Sequence, residues 1–89
     1  MKTDYFVEMT DTFGGESNYS WIRRFRVKGA TTNRGAMRKV GIREGYGWRK
    51  SWDDGTVTRY DAKGAAVCFF VEEWTEELEK QYPNIAVLG

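Results

Sequence analysis

The chain alternates between two periodicities, and the switches between them mark out its elements. Residues 4 to 10 place Tyr5, Val7 and Met9 on one side at a spacing of two, which predicts a strand. Residues 11 to 18 follow with Asp11, Gly14, Gly15, Ser17 and Asn18, residues that tolerate positive φ or hydrogen-bond their own backbone, and predict a loop. Over residues 19 to 28 the period of two returns. Tyr19, Trp21, Arg23, Phe25 and Val27 share one face, and Ile22, Arg24, Arg26 and Lys28 share the other, so one face is oily and the other mostly cationic.

The spacing then lengthens. Thr31, Thr32 and Asn33 are N-cap candidates, and a helical wheel started there gathers Ala36, Met37, Val40 and Gly41 on one side. Arg34 and Arg38 lie one turn apart on one flank of that stripe, Lys39 and Arg43 on another, and Gly41 or Gly45 would end the helix. Two aromatic segments, 48 to 52 and 56 to 61, are joined by Asp53-Asp54-Gly55, whose Asp and Gly suit a hairpin turn. After a second turn at Lys63-Gly64, residues 65 to 71 are apolar on both faces, as a buried central strand requires. Residues 74 to 82 carry Trp74 and Leu78 four apart among Glu76, Glu77 and Glu79, which predicts a short acidic helix ending near Pro83. The order β-β-α-β-β-β-α gives a two-layer α+β domain with a mostly antiparallel sheet and one or two short helices packed on one face.

Composition narrows the chemistry. The 89 residues suffice for one domain over 1 to 89, whose small core must draw on 4 Trp, 5 Tyr and 5 Phe. Histidine is absent, which removes the commonest general base and zinc ligand. The single cysteine, Cys68, allows no intrachain disulfide and no Cys-x-x-Cys pair, and within an apolar run it reads as a core thiol. Asp53-Asp54 and Glu72-Glu73 put neighbouring carboxylates on opposite faces of a strand or in a turn, a poor arrangement for acid/base work or for holding a cation. No catalytic role, metal or cofactor is therefore assigned. The first residues lack the apolar stretch of a signal peptide, and no run reaches the ~20 apolar residues that span a bilayer, so a cytoplasmic, reducing setting is expected.

Net charge is +1, but it is segregated. Residues 1 to 22 carry a net −3, residues 23 to 63 a net +8, and residues 64 to 89 a net −4. In the middle segment arginine outnumbers lysine 8 to 4, and the cations interleave with Trp21 at its border and with Phe25, Tyr46, Trp48, Trp52 and Tyr60. Cations neutralise phosphates and aromatic faces stack on bases, so the pairing suits nucleic acid. On that reading Arg24, Arg26 and Lys28 contact phosphate from the outer face of the second strand, joined by Arg34, Arg38, Arg49 and Lys50, while Tyr46 or Trp48 stacks. A partner protein rich in Asp and Glu would suit the same arginines, and the acidic tail could instead neutralise the basic middle within the fold. Each reading turns on whether folding gathers the cations into one patch.

Two resemblances bear on the setting. Gly45-Tyr46-Gly47-Trp48 resembles the Gly-aromatic-Gly-aromatic core of the RNA-recognition strand motif and of cold-shock domains, which implies rings that stack on bases. It departs from them at Glu44, at Arg49 and in the helix expected just upstream. YFVEMTDTFGGESNYSWIRR at 5 to 24 and RYDAKGAAVCFFVEEW at 59 to 74 resemble small proteins encoded by tailed phages and prophages. That resemblance implies a host-cell cytoplasmic setting and an accessory role, binding nucleic acid or docking as an inhibitor on a host nucleic-acid-handling or defence protein of the anti-restriction or anti-CRISPR type. It assigns no residue a role.

Overall fold

In the computed structural model, residues 3 to 12 and 22 to 89 are described. β1 (Thr3–Asp11) and β2 (Ile22–Ala30) are followed by α1 (Asn33–Glu44), and then by β3 (Trp48–Asp53), β4 (Thr58–Ala62) and β5 (Val67–Glu73). α2 (Glu76–Gln81) and β6 (Ala86–Leu88) complete the order. The strands form one sheet in the order β3-β4-β5-β1-β2-β6, antiparallel throughout except where β6 runs parallel to β2. This is an α+β fold with a mostly antiparallel sheet. Among the described residues no helix is long and apolar enough to cross a membrane, and no group of acidic or cysteine side chains is placed to hold a metal.

The core lies between α1 and one face of the sheet. Tyr5, Val7 and Met9 of β1, Phe25 and Val27 of β2, Tyr60 of β4 and Val67, Phe69 and Val71 of β5 meet Ala36, Met37 and Val40 of α1. The period-two positions of the strands and the wheel stripe of the helix therefore face each other, as their spacing requires. Tyr19 and Trp21, expected on the same face, lie outside the described residues. So does most of the predicted loop.

α1 begins where the Thr32 hydroxyl accepts a hydrogen bond from the Gly35 amide at 2.9 Å. It ends at Gly45, whose φ of 81° is the left-handed geometry that favours glycine. Asn33, the first helical residue, ties that end to the sheet: its amide nitrogen donates to the Thr58 hydroxyl at 3.0 Å and to the Thr56 and Val71 carbonyls at 3.3 Å. The Asp53-Asp54-Gly55 turn forms as expected. One Asp54 carboxylate oxygen accepts from the Val57 and Thr56 amides at 2.8 and 2.9 Å, and these bonds hold its pKa below the ordinary value. Because the turn extends through Val57, β4 starts at Thr58 instead of Thr56.

Three features depart from the expected layout. β6 has only three residues and no period of its own, and it exists because β2 offers it an edge. β5 is an interior strand, but it begins at Val67, and Phe70 on its outer face is only half-buried. α1 alone covers the inner face. The residues flanking α2 lie on the outer face, where the Phe6 ring stacks on Tyr82 at 5.2 Å and meets Trp74 at 6.0 Å.

Candidate nucleic-acid interface

The outer face of β2 carries the first predicted contacts. Inward-facing Phe25 and Val27 turn Arg24 and Arg26 outward by the pleat, and the β1 register sets Arg24 beside Glu8. Arg24 donates to the Glu8 carboxylate at 2.9 Å and lies 4.8 Å over the Tyr82 ring. Arg26 donates to Asp4 at 2.7 Å and to both Glu79 oxygens at 2.9 and 3.1 Å, with the Trp74 ring 4.4 Å below. The Asp4 hydrogen bond is the main cause that raises the Arg26 pKa further above its ordinary value. These arginines fasten α2 to the sheet, and their charge is offset. Arg23 likewise pairs with Glu44. Lys28 is exposed and carries no ion pair among the described residues, but it sits on β2, near the edge of the sheet opposite β3.

Glu72 belongs to the same outer face, next to Phe6 in the register. Burial, with Glu8 and Asp54 nearby, raises its pKa above the ordinary 4.5. A carboxyl whose folded pKa exceeds its unfolded one binds more protons in the native state, so stability falls as pH rises from 4.5 through the folded value. Ionised Glu72 therefore opposes folding at neutral pH. Glu72→Gln is expected to raise stability at pH 7 by about 0.5 kcal/mol, ~2–4 °C in thermal midpoint. The gain should vanish below the ordinary carboxyl pKa, and melting curves across pH check it.

The remaining cations gather along α1 and the edge strand β3. Arg34 and Arg38 project from the flank of α1, with Ile42 beyond them 74% exposed. Together with Thr32, Gly35 and Trp48 they border a shallow cavity of about 650 Å³. Arg34 also reaches a second cavity of about 580 Å³ at the start of α1, which it shares with Lys50, Asp53 and Tyr60. It thereby links the helix flank to β3. Trp48 is half-buried, edge-on to Tyr60 at 5.0 Å, and the Arg34 guanidinium lies 5.3 Å over its ring. Trp48 thus supports Arg34, and its ring face is not open for stacking. Arg49, opposite Asp61 in the β3–β4 register, projects to the other side of the same strand.

Tyr46 is also turned inward. Its ring packs edge-on against buried Phe69 at 6.0 Å, so it offers no platform for a base. The basic middle does not fold into one patch. Arg34, which borders both cavities, links Arg38 and Trp48 to Lys50, while Arg49 lies on the opposite face of β3 and Arg24 and Arg26 are neutralised on the outer face of β2. A phosphate-binding reading is left with this smaller cluster in place of the expected single patch.

The residue left out of the expected stacking set, although it belongs to the interleaved aromatics, is Trp52. Period two sets it on the same face as Trp48, but a register shift between Lys50 and Trp52 pairs Trp52 with Arg59 and turns its ring to the outer face. Ser51, a polar residue inside the aromatic run, is the one local signal of that irregularity. Comparison of the chain with protein-family models, with curated proteins and with solved structures finds no match, so the likeness to small phage proteins rests on its two sequence segments alone.

Proposed function

We propose that the protein is a non-catalytic nucleic-acid-binding module that grips the phosphate backbone along α1 and β3. The observation that carries this reading is the sorting of the cations. Arg34, Arg38, Arg49 and Lys50 form no ion pair among the described residues, whereas Arg24 and Arg26 are each paired. The unpaired guanidinium groups of Arg34 and Arg38 on one flank of α1 are free to exchange counterions for phosphates, and the planar fork of arginine matches phosphate oxygens in pairs.

Binding should weaken steeply with salt. Arg34→Ala/Arg38→Ala is expected to lose about 10-fold or more in affinity, and to flatten the plot of log affinity against log salt by ~1.4 on a single strand, about 0.7 for each phosphate contact removed. Arg24→Gln is expected to stay within about 2-fold of the parent protein, because its charge already serves Glu8. Anisotropy titrations at two salt concentrations check this. Absence of binding at tens of micromolar in low salt, or equal losses in the Arg24 variant and the double variant, would sink the reading.

A second reading has its own observation. Glu73, Glu76 and Glu77 are exposed and without ion pairs among the described residues, an acidic surface at the start of α2. It would suit docking on a basic host nucleic-acid-handling or defence protein, in the phage setting that the sequence likeness suggests. Copurification that survives nuclease treatment and is lost in Glu73→Gln/Glu76→Gln/Glu77→Gln supports it. An empty pulldown counts against it.

A further inference from the structure

We infer that the ligand is a single strand, and that one unpaired base stacks on Trp52 in a groove on the outer face of the sheet. The inference rests on the nucleic-acid reading above and adds the strandedness of the ligand and the ring that receives it.

Four observations converge on this groove. First, the irregularity at Ser51 turns Trp52 outward and leaves it 50% exposed, although a tryptophan is the side chain a small core can least spare. Second, the ladder sets Trp52 beside Arg59 and Arg59 beside Phe70, so two aromatic rings flank one guanidinium across three strands. Third, these residues with Ser51 and Asp61 enclose about 390 Å³, near the lower end of the ~300–1,000 Å³ typical of small-ligand sites.

Fourth, the charges in and around the groove are sorted. Arg59 donates to Asp61 at 3.0 Å and lies 5.7 Å over the Phe70 ring, so its charge is already offset by Asp61. A phosphate placed there would meet the Asp61 carboxylate, whereas a flat neutral ring meets Trp52. Its polar edge can donate to the second Asp61 oxygen or to the Ser51 hydroxyl oxygen, whose own proton goes to the Arg59 carbonyl at 3.3 Å. Arg49 lies on the same face as Trp52, and Lys50 on the same strand. Neither has an ion pair among the described residues; Arg49 is the one positioned for a flanking phosphate, since Lys50, opposite Tyr60, lies on the inner face. In a duplex the base faces are buried in the stack, so only an unpaired base can reach Trp52.

The experiment compares three labelled ligands of equal length on the full chain at low salt: oligothymidylate, the same strand with abasic sites, and a duplex. The expected result is binding to oligothymidylate at least ~10-fold tighter than to the other two. Trp52→Ala should cost about 5- to 100-fold on oligothymidylate and leave the abasic strand unchanged, while Trp52→Phe stays within ~3-fold of the parent protein. Equal affinity of the parent protein for the abasic strand and oligothymidylate, or tighter binding of the duplex, overturns the stacking inference. Such a result leaves the phosphate-binding reading intact if the Arg34/Arg38 dependence persists. Failure to bind any of the three overturns both. The comparison of ligands on the parent protein decides the matter even where Trp52→Ala folds poorly.

Discussion

Adding one methyl group at Gly41 is expected to destabilise the fold by about 2 kcal/mol and to lower its thermal midpoint by ~8–16 °C. Gly41 lies on the buried face of α1, where a Cβ would stand 2.7 Å from Cδ1 and Nε1 of Trp48 and 3.1 Å from the Tyr46 carbonyl oxygen. Carbon contacts are most favourable near 3.5–4.0 Å, so a neighbour has to move. Trp48 cannot retreat easily, because Tyr60 backs it at 5.0 Å, and the Tyr46 carbonyl is main chain. The Gly45 and Tyr46 amides also donate to the Gly41 carbonyl at 2.9 and 3.0 Å, which fixes the turn that follows the helix. Alanine gains about 1 kcal/mol in helix propensity, and the clash must exceed that gain to give the stated net loss.

Gly35→Ala on the same helix is the control. Its Cβ would meet only the Thr32 hydroxyl at 3.3 Å and the Ala30 methyl at 3.7 Å, so propensity and crowding should cancel to within about 1 kcal/mol. Displacing Trp48 also removes the surface beneath Arg34, so Gly41→Ala should weaken nucleic-acid binding under conditions where the variant is fully folded. Circular dichroism melts of the two variants check the pair. A Gly41→Ala protein that melts with the parent chain would show that Trp48 is not seated against α1.

The contrast between Gly41 and Trp52 marks where a sequence stops being readable. Gly41 falls on the wheel stripe with Ala36, Met37 and Val40, and the inward strand residues fall on a period of two, because local geometry alone sets those spacings. The hairpin at Asp53-Asp54-Gly55 was legible for the same reason: its hydrogen bonds are made within a few residues. The side chain facing Arg24 or Arg26 depends on strand order instead, and no periodicity encodes that β1 lies beside β2 in the register that brings Glu8 to Arg24. The Arg26 pairs with Asp4 and Glu79 join residues 22 and 53 positions apart in the chain. Charge arithmetic thus located a basic segment, but it could not separate cations that fasten α2 from cations left over for a ligand. β6 was invisible because its three residues acquire a strand conformation only from the edge of β2. One extra residue at Ser51 reverses the facing of everything beyond it in β3, which is why the exposed ring proved to be Trp52 and not Tyr46 or Trp48.

Neighbouring phenylalanines on β5 give the sharpest separation of fold from binding. Phe69 faces α1 and is fully buried, with the Tyr46 ring against it and Tyr60 and Met9 beside it in the ladder. Phe69→Ala is expected to cost about 3–5 kcal/mol, because the cavity is walled by a sheet and a helix that cannot both collapse into it. Stability on the order of 5–10 kcal/mol is expected for a domain of this size, so the variant loses a large share of it and unfolds at much lower denaturant. Phe70 points the opposite way, half-buried beneath Arg59 at the wall of the Trp52 groove. Its truncation removes partly solvated surface and should cost only about 1 kcal/mol. The order reverses in binding: at a temperature where both variants are folded, Phe70→Ala should weaken oligothymidylate binding several-fold, because Arg59 and Trp52 lose their neighbour, while Phe69→Ala stays near the parent affinity. Urea denaturation followed by Trp fluorescence gives the first comparison and anisotropy the second. Equal loss of stability in the two variants would mean that β5 does not separate a core face from a ligand face, and both the register and the groove built on it would have to be abandoned.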